Sequence, residues 1–437
     1  MALLTDQAAY LNLLGPAMLN ADRFPIVVAQ RLPSDMSYDS LTKVLDHIWK
    51  KHDALRLIFK HDETGWDQVV LPPSHQFQLY RVSLRDFGHS EHESALKRVA
   101  HEAASMIRVD KSVVAFMLIE DLGPGQNEKC LLIAIHHLAC DRQSVSVLCA
   151  DIEAAGKQVM KAEEPATKVA YPYLRAVDAI TSYAHSPELH KELDLWQNLA
   201  WAECAPLPQA DLSRTPLLLP RRLRTSETMP KASEIRRAAF RGVIASVGYG
   251  LTRYFGADVA VELVHNGRTL LRGEPGTGAG DAPRRPVFPA SVINTIGWFS
   301  LSGTVIIPVS HDRSRLQNID SSLNAMPNMG AGYSILRHLG CPGEFQQALI
   351  SRGYVPAVHI NYRQGSDNGG RRYTEPFQWR IIGGTSLIDC SFKTAPLAIS
   401  ITENTAHRIV DISWDPNLHA QDAGSEILQM LRDTPSG

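Results

Sequence analysis

The chain has 437 residues, 44% of them hydrophobic and 21% charged, which fits a soluble globular protein with enough apolar material for two or three compact units. Its 44 basic and 46 acidic residues leave a formal charge of -2, which argues against a nucleic-acid or polyanion-binding surface. Cys130, Cys140, Cys149, Cys204, Cys341 and Cys390 are scattered without a CxxC pair, which speaks against a disulfide scaffold or zinc knuckle and for a reducing cytoplasm.

In chain order, the opening MALLTDQAAYLNLLGPAML lacks a basic n-region and is broken by Asp6 and Gln7, so it does not read as a signal peptide. Leu41, Val44, Leu45 and Ile48 recur at helical spacing and predict a helix over 41–51, with Asp39 or Ser40 as its N-cap. Residues 56–59 read as a strand. Residues 113–119 and 130–135 read as two more; the first is far too short to span a bilayer, and the second is apolar enough to be buried on both faces. Val145, Leu148, Cys149 and Ile152 then mark one face of a helix. A charged, proline-containing stretch, 161–173, leads to a helical segment ending near Trp196 and Trp201, and the boundary between two halves is placed near residue 178. The second half has two loop-rich stretches. One covers 206–233 and carries Arg221, Arg222 and Arg224, read as a solvated face. The other, 272–286, has glycines without the lysine and helix of a phosphate loop and reads as a connection.

The chemistry concentrates between the strand at 130–135 and the next helix, in His136-His137-Leu138-Ala139-Cys140-Asp141. A strand-to-helix turn is a common seat for catalytic groups. Three readings are open. Metal binding needs a third or fourth clustered ligand, and none is evident. A buried His pair satisfied by backbone bonds is the structural alternative. General-base chemistry is the third: a neutral imidazole accepts a proton from an attacking amine or hydroxyl at pH 7. The aspartate then needs a cationic partner, because an unpaired buried carboxylate is costly.

IHHLACDRQS resembles the HHxxxDG signature of the condensation domains of nonribosomal peptide synthetases. Other motifs of that family are matched in order. Leu4-Thr5-Asp6-Gln7 resembles "LTxxQ", and the run from Lys51 to Phe59 resembles "RHExLRTxF". His265-Asn266-Gly267-Arg268 sits where the family has "AGR" or "GHGR". Asn294-Thr295-Ile296-Gly297-Trp298-Phe299 resembles "TVGWF", the run from Pro327 to Tyr333 resembles "PxxGxGYG", and Ile360-Asn361-Tyr362 resembles the start of "FNYLG".

The resemblance implies an α/β fold of two chloramphenicol-acetyltransferase-like subdomains, 1–178 and 179–437, in a V-shaped pseudo-dimer with an active-site tunnel at the junction. It implies His137 as the catalytic base, His136 as a structural neighbour, and Asp141 as one half of a buried salt bridge with Arg268. Arg56 is structural. Arg142, Val264, Trp298, Ser300 and Asn361 are expected along the tunnel. No metal or tightly bound cofactor is implied; a phosphopantetheine arm arrives on a peptidyl or acyl carrier protein, and the nucleophile is a small molecule or is carrier-bound. No nucleic acid or membrane partner is expected, and the protein is expected to be monomeric.

Three departures shape the reading. The motifs lean toward the epimerization subfamily, but Val264 stands where epimerases carry a proton-shuttling glutamate, so acyl transfer is favoured over stereoinversion. Arg142 replaces a glycine, which is expected to narrow the tunnel, contact substrate or phosphate, or mark a silent recruitment module. No adenylation or carrier segment follows, so a freestanding protein or an excised domain is expected. Plant-type alcohol acyltransferases share HxxxDG but add a DFGWG motif that this sequence lacks.

Overall fold

The computed structural model describes residues 2–14, 22, 24–63, 65–122, 127–205, 221–228, 236–271, 286–309, 315–356, 358–364, 376–384, 397–403, 407–414 and 422–432. The chain divides into two compact α/β units, each with its own main sheet. The first comprises residues 1–180, 288–299 and 367–386; the second comprises 181–287, 300–366 and 387–437.

In the first unit the strands are β1 (Pro25–Leu32), β2 (Leu57–Asp62), β3 (Gly65–Val70), β4 (Leu79–Ser83), β5 (Val114–Leu122) and β6 (Glu128–His136). A late arrival, β11 (Trp379–Gly384), pairs antiparallel with β1, so the sheet runs β11-β1-β6-β5-β4. Strand β6 lies antiparallel between β1 and β5, and every residue from Cys130 to His136 is buried. Its two faces are covered differently. Cys130, Leu132 and Ala134 join Val27, Ala29, Ala115 and Met117 against helix α3 (His92–Ser105). On the strand beside it, Gln30 of β1 turns to the opposite face and donates to the Cys149 carbonyl of α4 (Arg142–Val159). This two-sided cover explains the unbroken apolar run in the sequence.

Helix α1 (Thr5–Leu14) precedes β1, and α2 (Tyr38–Lys51) packs on α4. The N-cap of α2 is Ser37, not Asp39 or Ser40: its hydroxyl accepts the Ser40 N–H at 3.0 Å, so Ser40 is the donor in this cap. The charged run after α2 is structural. Arg56 donates to the carbonyls of Trp49 and Leu71 and to Asp53, and it lies in a 3-10 turn before β2. Lys51 and His52 bind one oxygen of Asp151 on α4 at 2.6 and 2.8 Å. Burial works to raise the Asp151 carboxyl, but the bonds from His52 and Lys51 outweigh it and hold it below its ordinary range.

The second unit's sheet runs β7-β13-β12-β10-β8-β9, with β7 Arg221–Thr228, β8 Val259–Asn266, β9 Ser300–Ile307, β10 Val358–Gln364, β12 Leu397–Glu403 and β13 His407–Trp414. Its central strands β12, β10 and β8 are parallel. Part of the stretch expected to be loop-rich is thus strand β7, which pairs with β13 along its full length. Its sequence, RRLRTSET, has one apolar residue and no hydrophobic alternation to mark a strand. Of the glycine-rich stretch at 272–286, all but Pro286 lies outside the described residues. Asn328, Met329 and Gly330 take consecutive left-handed conformations (φ 45°, 51° and 85°) beside β9. A Cβ at Gly330 would collide with the Thr304 main chain, so this motif glycine is required by both its φ and its packing. Among the described residues, no helix is long and apolar enough to cross a membrane.

Candidate active site

Strand β6 ends at His136, and a single 3-10 turn, His137–Ala139, joins it to α4. The alternation of the strand sends His136 fully inward, at 0% exposure. Its Nδ1 accepts the Leu138 N–H at 3.1 Å, so a neutral His136 carries its proton on Nε2. His136 thereby stiffens the turn. His137 follows at 8% exposure, and its backbone N–H donates to the Phe24 carbonyl at 2.8 Å. Its ring packs against two others that also touch each other, centroids 5.7 Å apart: Phe24 stacks on it with centroids 4.4 Å apart and planes 8° apart, and the Trp298 indole stands at 4.4 Å and 60°. Tyr10 of α1 completes the aromatic group, 5.3 Å from Phe24 and 5.9 Å from Trp298.

Asp141, 5% exposed, is the N-cap of α4. One carboxylate oxygen accepts the Ser144 N–H and lies 2.9 Å from the Ser144 hydroxyl; the other accepts the Phe299 N–H at 2.9 Å. The aspartate therefore holds the 297–299 segment against the helix. From the other side, Gln7 donates to the Leu138 carbonyl at 2.6 Å and to the Tyr173 hydroxyl, which donates to Gln68. The Leu-Thr-Asp-Gln motif at the start of the chain thus anchors the histidine turn. Arg142 begins α4 without a left-handed φ. Its backbone position therefore makes no demand for the glycine usual in the family, and the substitution is sterically permitted.

Within the second unit, Val264 is half-buried on β8 opposite Ser302 of β9, and Ser300 opens β9 opposite Asn266. Asn361 lies on β10 opposite Ser400, nearly buried. Arg268 is wholly buried in a short helix, Gly267–Leu270, whose N-cap Asn266 accepts the Arg268 N–H at 3.1 Å. A guanidinium removed from water needs acceptors around it, which makes Arg268 structurally committed. The structure thus brings His136, His137, Asp141, Arg142 and Trp298 together in the first unit and places Val264, Arg268, Ser300 and Asn361 in the second. Phe24, Tyr10 and Ser144 were not singled out by sequence reasoning. Ser144 had a signal, a hydroxyl three residues after a capping aspartate. Phe24, a single aromatic before Pro25, had none.

The second unit also carries acid-sensitive histidines. Burial lowers His265 from 6.5 to about 4 despite a hydrogen bond to the Met329 carbonyl. Burial, then repulsion from Arg337, takes His338 from 6.5 to about 3. Both folded values are depressed, so the unfolded chain binds these protons first. The stability they permit is complete above pH 6.5 and is lost as pH falls toward 4 for His265 and toward 3 for His338. Melting temperatures recorded across this range are expected to be level above pH 6.5 and to fall steadily below it. His265→Phe should flatten the upper part of the fall; an unchanged profile in that variant would contradict the assignment.

Two α/β units, with a His-His-x-x-x-Asp turn between a buried strand and a capped helix, define a condensation-type architecture. Residues 24–235 match the model of the condensation domain family. One component of the linear gramicidin synthase of Brevibacillus parabrevis is 27% identical over 383 residues, covering 80% of this chain and 5% of that protein. Bacitracin synthase 3 of Bacillus licheniformis is 23% identical over 347 residues, covering 75% of this chain and 5% of that protein. The fold matches the epimerization domain from the third module of tyrocidine synthetase B at a TM-score of 0.72 and 18% identity, covering 99% of this chain and 95% of that one. Over residues 24–235 the chain is thus similar to the condensation-domain family, and across most of its length it is similar to segments of nonribosomal peptide synthetases with which it shares a fold.

Proposed function

We propose that the chain is a condensation-type acyltransferase, joining an acyl or aminoacyl thioester on a carrier protein's phosphopantetheine arm to an amine or hydroxyl. The nucleophile attacks the thioester carbonyl, and His137 takes its proton. The C–N or C–O bond forms, the C–S bond breaks, and the proton passes to the leaving thiolate. The observation that carries this reading is the seat of His137: a titratable ring fixed by a backbone bond and two aromatic contacts, beside an aspartate occupied in anchoring main chain. Imidazole is the side chain suited to accept and return a proton near pH 7. The carrier is the proposed partner, with no resident cofactor in the step.

A second reading, epimerization, is favoured by the 0.72 match to an epimerization domain. It is opposed by Val264, which cannot serve as the second acid–base group that α-proton removal and return require. A carrier-bound aminoacyl thioester incubated with the protein in deuterated water separates the two. The expected result is no deuterium at the α-carbon. Rapid uptake there would replace condensation with epimerization.

A further inference from the structure

We infer that Ser144 is a positioning residue: its hydroxyl staples Gly297 to the first turn of α4 and so sets the Trp298 ring against His137. The inference deepens the acyltransferase reading and rests on it for its kinetic part only. The Ser144 hydroxyl accepts the Gly297 N–H at 3.0 Å and lies 2.8 Å from the Gly297 carbonyl oxygen. It also lies 2.9 Å from Asp141 Oδ1, so its one proton is shared between two acceptors. Asp141 Oδ2 takes the Phe299 N–H on the far side of Trp298. The main chain is therefore tied down both before and after the indole, and both ties run to the helix that the histidine turn leads into.

The result is a closed circuit. From His137 it passes through the 3-10 turn to Asp141, into α4, across Ser144 to Gly297, and back through Trp298 to the imidazole. Gly297 has no room for a side chain: a Cβ would collide with the rings of Phe299 and Tyr173. The segment has no side chain of its own there to hold it, and the hydroxyl of Ser144, 1% exposed, supplies the tie. Without that hydroxyl, two buried main-chain groups lose a partner, and the segment shifts to recover one. Phe24 stays where it is, because its carbonyl is bonded to the His137 backbone. Of the two adjoining rings against the imidazole, Phe24 then stays fixed and Trp298 is loosened. Small misplacements of reacting groups cost rate far more than they cost binding.

The test compares Ser144→Ala and Ser144→Cys with wild type, using protein labelled with 13C in its histidine rings. Cysteine is nearly isosteric but bonds more weakly, and it carries the comparison if the alanine variant folds poorly. The expected result is graded. In Ser144→Ala, kcat falls roughly ten- to a hundredfold with KM little changed, and Ser144→Cys falls between that and wild type. The His137 ring signals move in the same order toward their positions in Trp298→Leu, where the indole ring current is gone. The inference is overturned if the His137 signals stay in place, whatever happens to rate, or if kcat stays within twofold. The signals need no substrate, so they decide the staple even if the protein transfers no acyl group.

Discussion

His137→Ala is expected to lower acyl transfer by roughly two to four orders of magnitude, the usual contribution of a positioned general base. The attacking amine or hydroxyl must lose a proton as it adds to the carbonyl, and no other side chain of the turn is free for that work. His136 is turned inward with Nδ1 engaged by the Leu138 N–H, and Asp141 accepts main-chain N–H bonds that fix the 297–299 segment. Alanine also leaves a gap beside Phe24 and Trp298, so part of its effect is on packing. His137→Gln fills most of that space without supplying a base. It should lose activity to the same degree while keeping the wild-type melting temperature. Single-turnover rates with a loaded carrier check both variants, and a glutamine variant within tenfold of wild type would remove the imidazole from the mechanism.

Asp141→Ala is expected to reverse that pattern, with a large loss of stability as well as of activity. It removes the N-cap of α4, a loss of about 1 kcal/mol. It also strands the Phe299 N–H in the interior, which costs a further 1–3 kcal/mol or so. A total of about 3 kcal/mol lowers the melting temperature of a unit this size by roughly 6–12 °C. Asp141→Asn keeps one oxygen for the Ser144 cap and should recover part of the loss. Thermal melts of the three proteins measure this. An Asp141→Ala variant that melts with wild type would show that the carboxylate does not hold the segment.

Much of this could be read in the sequence because local pattern and burial agree. The run at 130–135 reads as a two-sided buried strand and is one, and the helix after Asp141 shows its apolar face at 3.6-residue spacing. The positions that escaped depend on non-local contact. Strand β11 joins β1 across more than three hundred residues of chain, and nothing near Trp379 announces that pairing. Strand β7 is arginine-rich and looks like a solvated loop until β13 is laid beside it. In the site, the histidines and aspartate stood out through their resemblance to the HHxxxDG signature, whereas the ring that stacks on His137 comes from Phe24, more than a hundred residues earlier. Arg142 shows a related limit. Whether a position needs glycine depends on its φ, which spacing does not reveal, and here the residue simply starts a helix.

The most direct test of the account is intact-protein mass spectrometry of a carrier protein loaded with an acyl or aminoacyl thioester, incubated with this chain and candidate amine or hydroxyl acceptors. The expected result is that the acyl mass leaves the carrier and appears in a new amide or ester only when chain and acceptor are both present, and that His137→Gln slows the transfer by roughly two to four orders of magnitude. A carrier that binds the chain yet keeps its acyl group with every acceptor would contradict it and identify a silent recruitment module instead.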